Sequence, residues 1–187
     1  MSTVRHSDDA PTGALLLDSL DEALRSLTVR YAGERLASLL DRLAALGFSW
    51  RDIARVAGVS VPELRKWRRG EWATSAGRQR VARFVALCEV AAERCHIADI
   101  AAWLERPLHP EAPLTGLDLV EAERLDLVLA LARDRPGGPE QVLDEFDPDW
   151  RAWHRSDVEV FTAADGKPGL RLAGADRWAA SLVDRSA

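Results

Sequence analysis

The chain is short of the residues on which catalytic and metal chemistry is usually built. Its 187 residues include two cysteines, four histidines, one tyrosine and one methionine. The histidines His6, His96, His109 and His154 are scattered, with no pair at a helical metal-ligand spacing. No Gly-rich phosphate loop and no Gly-x-Ser-x-Gly elbow occurs. Asp144, Glu145, Asp147 and Asp149 cluster, but an acidic run of this kind is expected to be solvated. These absences argue against an enzyme, a metal site and a bound cofactor. No apolar run approaches the ~18 residues of a membrane span, so no transmembrane helix is expected. Met1–Gly13 is polar, contains Asp8 and Asp9, and lacks the basic-then-apolar order of a secretory signal. Cys88 and Cys95 fall in one helical stretch, about 10 Å apart along its axis. A disulfide needs Cα atoms within about 7 Å, so the two thiols stay unpaired while that stretch is helical. Cys95-His96 has no Cys-x-x-Cys companion, and a reducing cytoplasm is the expected compartment.

What is present is a foldable chain with an uneven charge. It is 47% hydrophobic and 29% charged, enough apolar material for a core. The formal net charge of -5 argues, taken alone, against nucleic acid. Its distribution argues otherwise. Residues 50–83 carry nine basic residues (Arg51, Arg55, Arg65, Lys66, Arg68, Arg69, Arg78, Arg80, Arg83) and three acidic ones, a net +6. Residues 97–187 carry ten basic and eighteen acidic residues, a net -8.

Apolar periodicity predicts a mainly α fold. Residues 1–13 read as a tail. A helix over Ala14–Tyr31 presents Leu16, Leu20, Leu24 and Leu27 on one face, and a second carries Leu36, Leu39, Leu40 and Leu43 up to Gly47. Ser49 to Asp52 and Ser60 to Glu63 read as capping boxes that open two short helices, separated by Gly58. Pro62 falls in a first turn, where its missing N–H costs nothing. A helix over 78–93, a short one over 97–106, a loop over 108–116 and a long helix from Leu117 to Arg133 follow. Val158–Phe161 and Leu170–Leu172 alternate around Asp165–Gly169, which predicts a C-terminal β-hairpin. The expected division is a tail, a helical domain over 14–96 and a second domain over 97–187.

Two short helices joined at Gly58 make a helix-turn-helix, or else an ordinary helical hairpin. Ala54 is small where the helices cross, Gly58 suits a left-handed turn, and Val59, Leu64 and Trp67 fill the space between. If these point inward, Ser60, Val61, Glu63, Arg65, Lys66, Arg68 and Arg69 are left on the surface. The second helix of such a motif enters the major groove by its N-terminal end. Ser60, Val61 and Arg65 are then the candidates for base edges, and Lys66, Arg68, Arg69 and Arg51 for phosphates. Arg78, Arg80 and Arg83 either extend that track or form a solvated face. The acidic remainder is expected to be held away from DNA.

The segment WRDIARVAGVSVPELRKWRR, residues 50–69, resembles the helix-turn-helix of Xre-type regulators. The segment ADIAAWLERPLHPEAPLTGLDLVEAERLDLVLALA, residues 98–132, resembles the C-terminal domain of Xre/ParS-type antitoxins. The points of likeness are Trp103-Leu104, then Pro107, then a helix start at Pro113-Leu114-Thr115-Gly116-Leu117. The two segments lie within residues 50–132 and cover 55 residues between them. The chain departs where Glu121-Ala122-Glu123 replaces a glycine common in that family, and it extends some 50 residues further.

The resemblance implies an antitoxin that represses its own operon and neutralises a cognate toxin, commonly a RES-domain protein. Trp103, Leu104, Leu114 and Leu117 are then candidates for partner contact. Trp150 and Trp153, three apart, form either a partner face or core. A stand-alone regulator with a sensing or protein-binding C-terminal domain is the alternative. Two-fold operators suit two-fold proteins, so a homodimer is expected, with the 14–31 helix as its candidate interface.

Overall fold

A computed structural model describes residues 10–133, 137–152, 158–162 and 168–172, with side chains over 19–133 and 137–151. Among them are nine α-helices and two small antiparallel sheets, so the protein is mainly α with a β-hairpin. The first five helices are α1 (Ala10–Ala32), α2 (Leu36–Ala45), α3 (Trp50–Ala57), α4 (Val61–Arg68) and α5 (Ser75–Cys95). Then come α6 (Ile100–Glu105), β1 (Pro107–His109), β2 (Ala112–Thr115), α7 (Gly116–Glu121), α8 (Leu125–Ala132) and α9 (Gly138–Phe146). A 3-10 turn at Trp150–Ala152 precedes β3 (Val158–Thr162) and β4 (Pro168–Leu172).

The chain forms two compact units, residues 1–146 and 147–187. In the first, α5 is the central helix. It buries Val81, Phe84, Val85, Leu87, Cys88 and Val90, and touches α1, α2, α3, α6 and α8. One apolar cluster runs from Leu20 in α1 to Val142 in α9. The boundary expected after residue 96 falls inside this unit, because α8 packs on α1 and α5 while α7 packs on α3. α1 lies along α5 and buries Leu20, Leu24 and Tyr31 there, so its apolar face is internal and not the free dimer interface expected. Helix α1 also begins at Ala10, inside the expected tail.

Two further differences concern the 107–133 stretch. Most of the expected 108–116 loop belongs to the β1–β2 pair, which matches Pro107 with Thr115 and His109 with Ala112 across a register shift. The expected continuous helix from Leu117 is broken at Ala122–Arg124. There Glu123 takes a left-handed φ of 60°, while Glu123 N–H donates to Val120 O (3.0 Å) and Arg124 N–H to Leu119 O (2.9 Å). This is a Schellman ending whose left-handed position carries glutamate instead of glycine. The bend lets Leu117, Leu119 and Val120 face one part of the core and Leu125, Val128 and Leu129 another.

In the second unit, β3 and β4 form the expected hairpin, paired from Val158–Leu172 to Thr162–Pro168. Trp150 is 2% exposed, and the Arg151 guanidinium lies 4.4 Å from its ring centroid. Among the described residues no helix is long and apolar enough to cross a membrane.

Candidate nucleic-acid interface

α3 and α4 are placed by their caps. The Ser49 hydroxyl accepts from Asp52 N–H (3.2 Å) and donates to the Asp52 carboxylate. The Ser60 hydroxyl accepts from Glu63 N–H (3.3 Å). Each is one arm of a capping box. The complete reciprocal box lies elsewhere, at Thr115 and Asp118, whose carboxylate accepts from Thr115 N–H at 2.7 Å. Between α3 and α4, Gly58 has φ 70° and ψ 34°. Gly58 N–H donates to Arg55 O (3.1 Å) and Val59 N–H to Ala54 O (3.0 Å), a second Schellman ending. A Cβ at residue 58 would be strained by this φ and would strike the Arg80 guanidinium.

The interior of the motif is apolar and closely packed. Ile53, Ala54, Val56, Ala57, Leu64 and Trp67 are buried. Trp67 lies against Gly77 in the first turn of α5, and a Cβ on Gly77 would collide with the indole and approach Thr74 Oγ1 at 3.0 Å. Sequence reasoning missed Gly77, which had no turn to announce it.

The nine cations of the island divide into two groups. Six have partners within the chain. Arg55 reaches Asp118 (3.3 Å) and Glu121 (3.0 Å), and Arg80 and Arg83 share Glu123 (2.8 and 3.2 Å). Arg68 pairs with Asp41 (2.8 Å) and its guanidinium lies 5.1 Å from the Trp50 ring centroid. Arg69 pairs with Glu71 (2.8 Å), and Arg78 donates to Glu34 O (2.9 Å). The other three, Arg51, Arg65 and Lys66, are exposed, and their side chains have no hydrogen-bond or ion-pair partner among the described residues. The acidic remainder is therefore not all held away, since α7 and its C-terminal turn bring three carboxylates onto Arg55, Arg80 and Arg83. Arg78 and Arg80 are structural in this arrangement, not an open phosphate track.

Arg51 lies in the first turn of α3, and Arg65 and Lys66 are exposed on α4. Ser60 is exposed at the α4 N-terminus, with Val61 and Glu63 half-buried beside it. An exposed α4 N-terminus next to unpartnered cations has the polarity needed to meet a phosphate backbone. Trp72, 83% exposed in the loop after α4, is a further residue sequence reasoning missed.

The candidate partner residues are less uniform. Leu104 and Leu117 are core residues, 0% and 2% exposed, and do not form a surface. Trp150 is likewise buried, and Trp153 lies outside the described residues. Leu114 is half-buried in β2. Trp103, also half-buried, lines a groove with Arg106, Pro107, Leu108, Leu131 and Pro139. Among the described residues no group of three or more His, Cys, Asp and Glu side chains could hold a metal ion. No known protein family, characterised protein or solved structure matches the chain.

Proposed function

We propose that the protein is a DNA-binding antitoxin, acting in the cytoplasm as a homodimer without a cofactor or a catalytic step. In this reading α3 and α4 bind operator duplex and repress the operon, and the Trp103 groove belongs to a surface for a cognate toxin of RES type. The observation that carries the DNA half is the division of the cations. Six of nine are paired within the chain, and the three left free cluster on the two helices of a turn-linked pair. Arg65 fits a guanine edge, Arg51 and Lys66 fit phosphates, and Ser60, Val61 and Glu63 stand where a recognition helix reads bases. The toxin half is supported by the resemblance of residues 98–132 to Xre/ParS-type antitoxins.

A stand-alone regulator is favoured by one observation. α7 is tied to α3 by Arg55 with Asp118 and Glu121, so the antitoxin-like segment is positioned to transmit a signal to the motif. Co-expression with the product of the neighbouring gene separates the two. An antitoxin co-elutes with that product on a sizing column and rescues growth. A chain that binds its own promoter but does neither is a stand-alone regulator. A chain that binds no DNA at physiological salt overturns both readings.

A further inference from the structure

Trp72 is the most exposed large apolar side chain among the described residues, and nothing in the fold requires it. It follows Gly70 and Glu71 in the short link to α5, and it borders an open cleft with Ser60, Glu63, Lys66 and Glu71. Ser60 and Lys66 are two of the residues placed at DNA in the reading above. The indole therefore lies along the same edge of α4 as the helix N-terminus and a free ammonium. Of the two carboxylates bordering the cleft, Glu71 is held by Arg69 at 2.8 Å, which leaves Glu63 as the one to set against the free Lys66 ammonium. Isolated surface apolar residues are common, but a tryptophan joins a large flat apolar face to one N–H donor and accepts nothing. That pairing suits a deoxyribose flanked by phosphate oxygens.

We propose that Trp72 is a DNA-backbone anchor: its ring packs on a deoxyribose at the edge of the groove occupied by α4, and its Nε1–H donates to the adjacent phosphate. The inference rests on the DNA-binding reading. Duplex DNA is chosen over a protein occupant because the unpartnered Lys66 on the cleft rim and the neighbouring unpartnered Arg65 outnumber the one unpaired carboxylate, Glu63. As a neutral contact, Trp72 fixes the register and depth of the helix without releasing a counterion.

The test uses the full chain. A duplex is first selected from a random-sequence pool with the wild-type protein, and then bound by Trp72→Ala and Trp72→Phe. The expected result is about a tenfold loss for Trp72→Ala and a smaller loss for Trp72→Phe. The log-log salt slope should stay unchanged, whereas loss of a phosphate-binding cation lowers it by about 0.9. Thermal unfolding should be unchanged, because the side chain is exposed. Equal affinity of Trp72→Ala and wild type overturns the anchor while leaving the DNA reading intact. Loss of affinity accompanied by loss of dimer mass, or of binding to the neighbouring gene product, assigns Trp72 to a protein contact and overturns the anchor as well. Failure of the wild type to enrich any duplex overturns the DNA reading and the anchor together.

Discussion

The Glu123 carboxylate bridges Arg80 and Arg83, at 2.8 and 3.2 Å, from a backbone position with φ 60°. A left-handed glutamate costs on the order of 1 kcal/mol relative to glycine. Its carboxylate partly offsets that cost by pinning the α7–α8 turn to α5. Arg80 in turn covers Gly58, the turn residue of the α3–α4 pair. One side chain therefore links the α7–α8 turn to the α3–α4 pair.

Glu123→Gly tests this link. It relieves the backbone cost and removes ion pairs that are each worth about 0–1 kcal/mol at such exposure. Stability to urea should therefore change by less than about 1 kcal/mol. Arg80 and Arg83 are then released, and affinity for duplex DNA should rise, with the salt slope steepening by up to about 1.8 for two added phosphate contacts. Unchanged affinity and slope would show that Arg80 and Arg83 face away from DNA.

Gly58→Ala and Gly77→Ala should both destabilise, for different reasons. The first forces a Cβ into a left-handed turn and against Arg80, at a cost of about 1–2 kcal/mol. The second drives a methyl group into the Trp67 ring, an overpacking cost of about 1–3 kcal/mol, partly offset by alanine's better helix propensity. Urea denaturation measures both. A neutral or stabilising Gly77→Ala would contradict the Trp67–Gly77 packing.

The free and the partnered cations should separate by phenotype. Arg78→Ala removes a bond to Glu34 O and should cost about 1 kcal/mol of stability. Arg65→Ala with Arg68→Ala is a poor test of binding alone, since Arg68 also ties α4 to Asp41 of α2 and to Trp50 of α3. Arg65→Ala with Lys66→Ala removes no hydrogen bond or ion pair within the described residues and should leave the melting temperature unchanged.

The two thiols should differ in reactivity. Cys88 is fully buried, and burial pushes its thiol well above the ordinary range. Cys95 is only half-buried, and its upward shift from burial is opposed by Arg133. A thiol reagent at pH 8 should label Cys95 in the native protein and Cys88 only after unfolding. Rapid native labelling of Cys88 would contradict the central position of α5.

The helix-turn-helix was legible in the sequence because its punctuation is local. Ser49, Gly58, Ser60 and Pro62 each act within four residues of where they stand. The break at Ala122–Arg124 was not legible, since no glycine or proline marks it and Glu123 adopts the turn through contacts made 40 and 43 residues away. The β1–β2 pair was hidden for a related reason, as Pro107, Pro110 and Pro113 read as loop signals. The charge island was legible as composition only. Which arginines were free depended on carboxylates as far away in sequence as Asp118 and Glu121, both on Arg55.

If α3 and α4 lay their free cations on a DNA backbone as proposed, duplex binding across a salt series separates the wild type from Arg65→Ala with Lys66→Ala. The expected result is binding by the wild type, a loss of at least about tenfold in the variant, and a salt slope shallower by about 1.8 for two lost phosphate contacts, at an unchanged melting temperature. Equal affinity and equal slope for the two proteins, or no binding by either, would contradict the proposal.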